Sequence, residues 1–352
     1  MKKLKGALIG CGAIAREHLA AVQELNDVEM AAVCDISAAR AEATAERFGI
    51  AHWYTSHDQM LSEHQPDLVH ITAPPSSHFP LAKDCLSRGL NVLCEKPITT
   101  EYEQFKFLKQ LAREKHRLFV ENQNLRFHSS IKRMQDFIES GKFGDLVDIQ
   151  IFFSLNLTGA GSPYVDPNVP HFGAALRGGV IGDFLTHIAY LAYLFAGAVV
   201  DLRTIWLKQA KHTALPSDEF RALIKGTRAP AYVGFNGNSE LNGYWVRITG
   251  TKMYAEANLL EPPRITLRRH RRGEPALASF AVGLAEARSV FGGTVAGFWR
   301  KLGGVSSYDG LPEMISRTYR ALANNEPQPV SLDEIDDVSR LVDSFTKPDL
   351  RL

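Results

Sequence analysis

The sequence predicts an α/β protein: a doubly wound parallel sheet, then an α+β domain with an open, mainly antiparallel sheet. Three observations carry this. Short apolar runs alternate with helical stretches from Leu4 to Glu121, the pattern of a parallel sheet covered on both faces. From Leu202 to Leu267 strand-like runs follow one another with short joins, which pairs neighbours antiparallel. The chain has 352 residues, and single cores stop growing near ~250–300 residues. Two domains are therefore expected, over 1–121 and 122–352.

Composition sets the class. With 45% hydrophobic and 22% charged residues and a formal net charge of +1, the chain is an ordinary globular one. That balance gives no reason to expect nucleic acid or a membrane surface as a partner. Met1-Lys-Lys-Leu leads straight into a strand, so no signal peptide is expected, and no apolar run approaches the ~20 residues of a membrane span. Cys11, Cys34, Cys85 and Cys94 lack CxxC or Cys/His ligand spacing. They are expected to be small buried residues of a reducing, cytoplasmic compartment, with neither a structural disulfide nor zinc.

The first strand, Lys5–Ile9, runs into Gly10-Cys-Gly12-Ala-Ile-Ala15 and a helix from about Arg16 to Leu25. This is a glycine fingerprint with alanine in its third position. Gly10 permits the tight turn, Gly12 lets the backbone approach a pyrophosphate, and the helix N-terminus supplies N–H donors. Ala13 and Ile14 belong to the same cofactor turn. A second strand, Val28–Cys34, ends at Asp35. A carboxylate there accepts from both ribose hydroxyls of NAD and repels a 2′-phosphate; the plainer reading is the N-cap of a helix over Ser37–Phe48, and one side chain can serve both. Ile36 is grouped with it, and Arg40, a turn later, leaves NADP possible.

Alternation continues through a short strand at His52–Tyr54, a helix at Ser56–Glu63 and a strand at Leu68–Ala73. Then come Pro74-Pro75-Ser-Ser-His78, a helix to Arg88 and the buried strand Leu90–Cys94, stopped by Glu95-Lys96-Pro97. These residues sit at the carboxyl edge of the sheet, where open α/β sheets bind ligands. Ala73, Pro74, His78 and Glu95 are grouped with the cofactor; taken alone, His78 reads as a capping or packing histidine. Helix Tyr102–Lys115 and strand Leu118–Glu121 close the domain.

The glycine loop, the Pro74-Pro75-x-x-His78 turn and Glu95-Lys96-Pro97 come in the order and spacing of the Gfo/Idh/MocA oxidoreductases. The chain resembles that family along essentially its whole length. The resemblance implies that Lys96 points at substrate and nicotinamide, and that its bond to Pro97 is often cis. It also implies that Asn124 faces the nicotinamide side and Arg126 the inter-domain cleft.

Beyond Arg126 the sequence predicts a helix at Ile131–Ser140, a strand at Leu146–Leu155 and a loop over 156–176, either an irregular excursion or a substrate-facing lid. After Gly178-Gly a mostly apolar helix begins at Asp183. Asp183 and His187 are four apart and share one face. A buried histidine and a helix-start aspartate are each ordinary; both together, on a chain with a dinucleotide loop, favour chemistry. The family's second motif is similar, with the histidine as proposed acid/base and the aspartate assisting. This chain departs from it at Arg177 and Leu185, where glycine is common, which leaves the substrate class open.

Strands are expected at Leu202–Gln209, Asp218–Lys225, Ala231–Asn236, Tyr244–Gly250, Met253–Ala257 and Arg264–Arg268. The charged run Arg268–Arg272 reads as a solvated hairpin tip, or alternatively as a grip on the phosphates of a nucleotide sugar. Residues 280–305 read as an insertion that covers the cleft or joins subunits. Helices are expected at Gly310–Asn324 and Ser331–Phe345.

The expected activity is hydride transfer between NAD, with NADP possible, and the hydroxyl-bearing carbon of a sugar, cyclitol or related substrate. Lys96, Asp183 and His187 would be catalytic, Arg126 would join them in substrate binding, and no metal would be needed. A homo-oligomer, dimer or tetramer, is expected through the second sheet. Relatives that hydrolyse glycosides on a retained NAD, or that bind a dinucleotide as sensors, supply the two alternatives.

Overall fold

The computed structural model describes residues 3–159, 161–166, 171–209, 215–268 and 308–347, with scattered positions between 280 and 292. It divides into two compact units: Met1–Asn124 with Tyr308–Asp343, and Leu125–Ser307 with Ser344–Leu352.

The first unit alternates strictly: β1 (Leu4–Ile9), α1 (Ala13–Gln23), β2 (Val28–Cys34), α2 (Ala38–Phe48), β3 (Trp53–Tyr54) and α3 (His57–His64). β4 (Leu68–Ile71), α4 (His78–Ser87), β5 (Asn91–Cys94), α5 (Tyr102–Lys115) and β6 (Phe119–Glu121) follow. The strands lie in the order β3-β2-β1-β4-β5-β6, parallel throughout. This is the doubly wound Rossmann order, whose switch point falls between β1 and β4. All four residues of β4 and of β5 are buried, as strands covered on both faces require.

The unit does not stop at residue 121. Two later helices, α8 (Leu311–Asn324) and most of α9 (Leu332–Thr346), belong to it. α8 packs on α1 and buries Leu311, Met314, Ile315 and Tyr319 along one stripe. Lys109 Nζ lies 2.9 Å from Asp336 Oδ2. Gln328 serves the open edge of β6: its Oε1 accepts from Phe119 N–H (3.1 Å) and its Nε2 donates to Phe119 O (3.0 Å). A side-chain amide thus stands in for a neighbouring strand.

The second unit holds α6 (Ser129–Glu139), β7 (Leu146–Ser154), α7 (Gly182–Ala196), β8 (Val199–Leu207), β9 (Glu219–Gly226), β10 (Pro230–Asn236), β11 (Gly243–Gly250), β12 (Tyr254–Asn258) and β13 (Thr266–Arg268). Its sheet runs β13-β12-β11-β7-β10-β9-β8. The short join after Gly237 does not make a hairpin. β7 lies between β10 and β11, antiparallel to β11 and parallel to β10, so the link crosses two strand spacings, ~10 Å.

α7 covers one face of this sheet and packs against β7, β9 and β10. Residues 179–196 are long and apolar enough to cross a membrane, which the sequence reading did not anticipate, but 89% of that stretch is buried inside the fold. It is a core helix. The other face leaves Ile205, Leu223 and Tyr232 exposed. Residues 269–272 of the arginine-rich run lie outside the described residues, as does most of 280–305. Arg268 itself ends β13, its guanidinium 5.9 Å from the Tyr254 ring centre.

Candidate active site

At the switch point Gly10 has φ +100°, and a Cβ there would come within 2.5 Å of Ala73 N. Only glycine allows the loop after β1 to approach the end of β4 so closely. Thr72 pins the arrangement by donating its hydroxyl to Gly10 O at 2.6 Å. Gly12 is the N-cap of α1 and supplies no side-chain cap, and the first turn carries no acidic residue. A Cβ on Gly12 would meet nothing within 4 Å. Open room therefore lies beside Gly12 at the uncapped helix N-terminus, an arrangement that fits a dinucleotide pyrophosphate.

Asp35 does not cap α2. Ser37 does, accepting from Arg40 N–H. Both Asp35 oxygens accept backbone N–H groups, Oδ2 from Cys11 and Oδ1 from Ser37, each at 2.8 Å. The carboxylate thus ties the glycine loop to the end of β2, which is more than either sequence reading assigned it, and each oxygen keeps a second lone pair for a ribose hydroxyl. Ile36 beside it is 95% exposed, and Arg40, Ala13 and Pro74 are exposed at the same edge, with Ile14 and Ala73 half-buried.

His78 is a correction. It is fully buried, with Nδ1 2.8 Å from Pro97 O and Nε2 2.8 Å from Ala73 O. Burial pulls its pKa down, against the carbonyl bonds and the Glu95 charge. Both ring nitrogens are committed to backbone, so His78 joins two loops and has no polar atom left for a cofactor.

The turn after β5 is held from below. The Lys96–Pro97 peptide is cis, and Lys96 is half-buried. Glu95 Oε2 accepts from Lys96 N–H at 3.1 Å, while Oε1 meets Asn122 Nδ2 at 2.5 Å and His18 Nε2 at 2.9 Å. Burial alone would raise the Glu95 pKa; the bond from His18 and its charge when protonated, with the Asn122 bond and the Lys96 charge, bring it instead to about 2. Nearby Glu121 goes the other way. Its oxygens accept from Ile98 N–H (2.9 Å) and Gln123 Nε2 (2.8 Å), yet burial, with the Glu95 charge adding to it, lifts it to about 7.

In the second unit Asp183 is buried in the first turn of α7 and His187 is half-buried one turn on. His187 Nδ1 lies 2.7 Å from the Tyr190 hydroxyl, which accepts from Leu125 N–H at 3.3 Å. The Nδ1 side of the ring is thus fixed on its own helix. Gly182 is required at the helix start, since a Cβ there would overlap the Arg177 carbonyl oxygen. Of the two departures from the family motif, Arg177 is exposed and Leu185 is in the core. Asn124 is buried and Arg126 half-buried in the short 3-10 turn over 124–127.

Sequence reasoning missed His18, Thr72, Asn122, Glu121 and Tyr190 as supports of these groups, and Tyr319 altogether. Tyr190 had a signal, being three residues after His187 and so within reach on one helix face. The others are joined by contacts across the sheet.

A Rossmann sheet with an open glycine loop is thus joined in one chain to an α+β unit bearing an Asp/His pair. Residues 4–123 match the model of the oxidoreductase family with NAD-binding Rossmann fold. Through that segment the chain is similar to the Gfo/Idh/MocA oxidoreductase family. It is 29% identical over 144 residues to D-apiose dehydrogenase of Paraburkholderia graminis, covering 41% of this chain and 38% of that one. It is also 29% identical over 204 residues to dTDP-3,4-didehydro-2,6-dideoxy-alpha-D-glucose 3-reductase of Streptomyces violaceoruber, covering 58% and 57%. The chain thus aligns with only part of these curated relatives. Along nearly its full length it shares the fold of levoglucosan dehydrogenase in complex with NADH (TM-score 0.79, 17% identity, 98% and 96% covered). An oxidoreductase from Agrobacterium radiobacter in complex with NAD+, L-tartaric acid and magnesium is similar (TM-score 0.77, 18% identity, 97% and 95% covered).

Proposed function

We propose that this chain is an NAD(P)-dependent dehydrogenase that moves hydride between the nicotinamide and a hydroxyl-bearing carbon of a sugar, cyclitol or sugar derivative. The observation that carries the reading is the pairing, in one chain, of an open glycine loop with His187 fixed through Nδ1 one turn after Asp183. Bound nicotinamide supplies the hydride acceptor or donor; the rest of the chemistry falls to the chain's own residues.

Oxidation of an alcohol releases a proton as well as a hydride. His187 Nε2 takes that proton, in the pH range where imidazole works. Asp183 binds the neighbouring hydroxyl or orients His187. The Lys96 ammonium stabilises the developing alkoxide, worth about 3–4 kcal/mol by analogy with oxyanion donors. Gly10, Gly12 and the first turn of α1 hold the pyrophosphate, and Asp35 favours NAD over NADP by repelling a 2′-phosphate. With four free, buried cysteines, the enzyme works in the cytoplasm. It assembles with further copies of itself through the exposed face of the second sheet.

A panel of polyols, sugars and nucleotide sugars with NAD and NADP, followed by absorbance, tests this. Reduced cofactor forming with one sugar-like class, at least as well from NAD, supports the reading. Glycoside cleavage without net NADH, or tight NAD binding with no turnover across the panel, overturns it in favour of a hydrolase or a sensor.

A further inference from the structure

Beneath Lys96 the first unit carries polar side chains that the proposed chemistry does not use. His18 on α1, His70 on β4 and Tyr319 on α8 are all buried. The contacts are end to end: Tyr319 hydroxyl to His70 Nε2, 2.9 Å; His70 Nδ1 to His18 Nδ1, 2.9 Å; His18 Nε2 to Glu95 Oε1, 2.9 Å. The two imidazoles meet nearly edge to face, with 81° between planes.

The direction of these bonds follows from what each atom can do. Burial raises the Tyr319 pKa, so it keeps its proton. Among the described residues the hydroxyl has one polar partner, His70 Nε2. A buried O–H is costly to leave without an acceptor, so Tyr319 donates and Nε2 accepts. Burial keeps His70 neutral; its one proton is then on Nδ1 and is donated to His18 Nδ1. That assigns the His18 proton to Nε2, donated to Glu95. Every donor is satisfied in this direction. In the reverse direction the Tyr319 proton has no acceptor.

We propose that Tyr319, His70 and His18 form a one-way hydrogen-bond chain that holds Glu95 as a carboxylate against the Lys96 backbone N–H, making the three positioning residues for Lys96. Glu95 is the link: one oxygen receives the chain and the other receives Lys96 N–H. The role of Lys96 rests on the dehydrogenase reading; the direction of the chain does not. The other titratable groups facing this line are Glu121 and His78, which sense Glu95, and Asp67 beside Tyr319.

Long-range ¹H–¹⁵N correlation on histidine-labelled protein at neutral pH reads both tautomers directly. The expected result is His18 as the Nε2–H form and His70 as the Nδ1–H form; His70 as Nε2–H, or His18 as a cation, overturns the chain. In Tyr319→Phe the His70 ring should lose its single tautomer while the far-UV spectrum is unchanged. The Glu95 carboxyl, followed by ¹³C, should titrate at least about one unit higher in His18→Leu than in the parent, and an unchanged midpoint overturns the clamp.

For turnover, His18→Leu should lower kcat about tenfold or more with KM for NAD unchanged, and His18→Gln, which keeps an amide donor near Nε2, should recover most of that loss. Equal kcat in parent and His18→Leu overturns the positioning role. Should the parent reduce no cofactor on any sugar, the dehydrogenase reading fails alone, because the tautomer and carboxyl measurements need no substrate.

Discussion

At the scale of single residues, Lys96 and Glu121 make separate demands on experiment. Lys96→Met is expected to lower turnover about a hundredfold or more and to leave the NAD Kd nearly unchanged, because in the proposed reaction the ammonium acts on the reacting oxygen. Turnover that survives would reduce Lys96 to an anchor of the turn. Glu121 tests the buried electrostatics. Its folded pKa of about 7 stands above the ordinary 4.5, so its contribution is fully present below pH 4.5 and is lost as pH rises through 7, by about 3 kcal/mol at most. Glu95, lowered to about 2, has the opposite sign, with stability present above 4.5 and lost as pH falls toward 2. Chemical denaturation of parent and Glu121→Gln should therefore give a stability difference that moves in favour of the variant between pH 4.5 and 7. A difference flat with pH would contradict the assignment. The sequence made Lys96, Asp183 and His187 legible because each sits in a local motif. It hid Glu121, an acid at a strand end whose shifted pKa comes from its surroundings.

At the scale of elements, helix starts do the positioning. α1 begins at an uncapped Gly12, and α7 begins where Gly182 passes against the Arg177 carbonyl. Gly182→Ala is expected to cost about 1–3 kcal/mol and to lower kcat more than it raises KM for NAD, since it displaces the helix carrying Asp183 and His187. Calorimetry with steady-state kinetics checks this; an unaltered melting temperature and kcat would mean the helix start shifts freely. Elements of the first unit were readable to within a few residues because strand–helix alternation and turn residues are local signals. Pairing was less so. The position of β7 between β10 and β11 depends on side chains far apart in sequence, and a short join after Gly237 suggests a hairpin that the sheet does not make.

At the scale of the molecule, chain order and spatial order part company. α8 returns to the first unit and sets Tyr319 against His70, 249 residues earlier, a contact no local pattern announces. The glycine loop and the switch point were legible because a parallel sheet has few right-handed ways to connect. The outer face of the second sheet makes a further expectation. Ile205, Leu223 and Tyr232 are exposed there, and apolar faces of this kind mark association. Light scattering at micromolar concentration should give at least twice the chain mass of 39.0 kDa, and Leu223→Arg should lower it. A monomer in the parent would contradict the interface.

In the proposed reaction hydride passes between a sugar carbon and nicotinamide. This is tested most directly with the substrate found in the panel, deuterated at the reacting carbon, and NAD, with mass spectrometry of both products. The expected result is one deuterium on the reduced cofactor and none on the oxidised sugar carbon. Deuterium that stays on the sugar or passes to water, with the cofactor unlabelled, would contradict it.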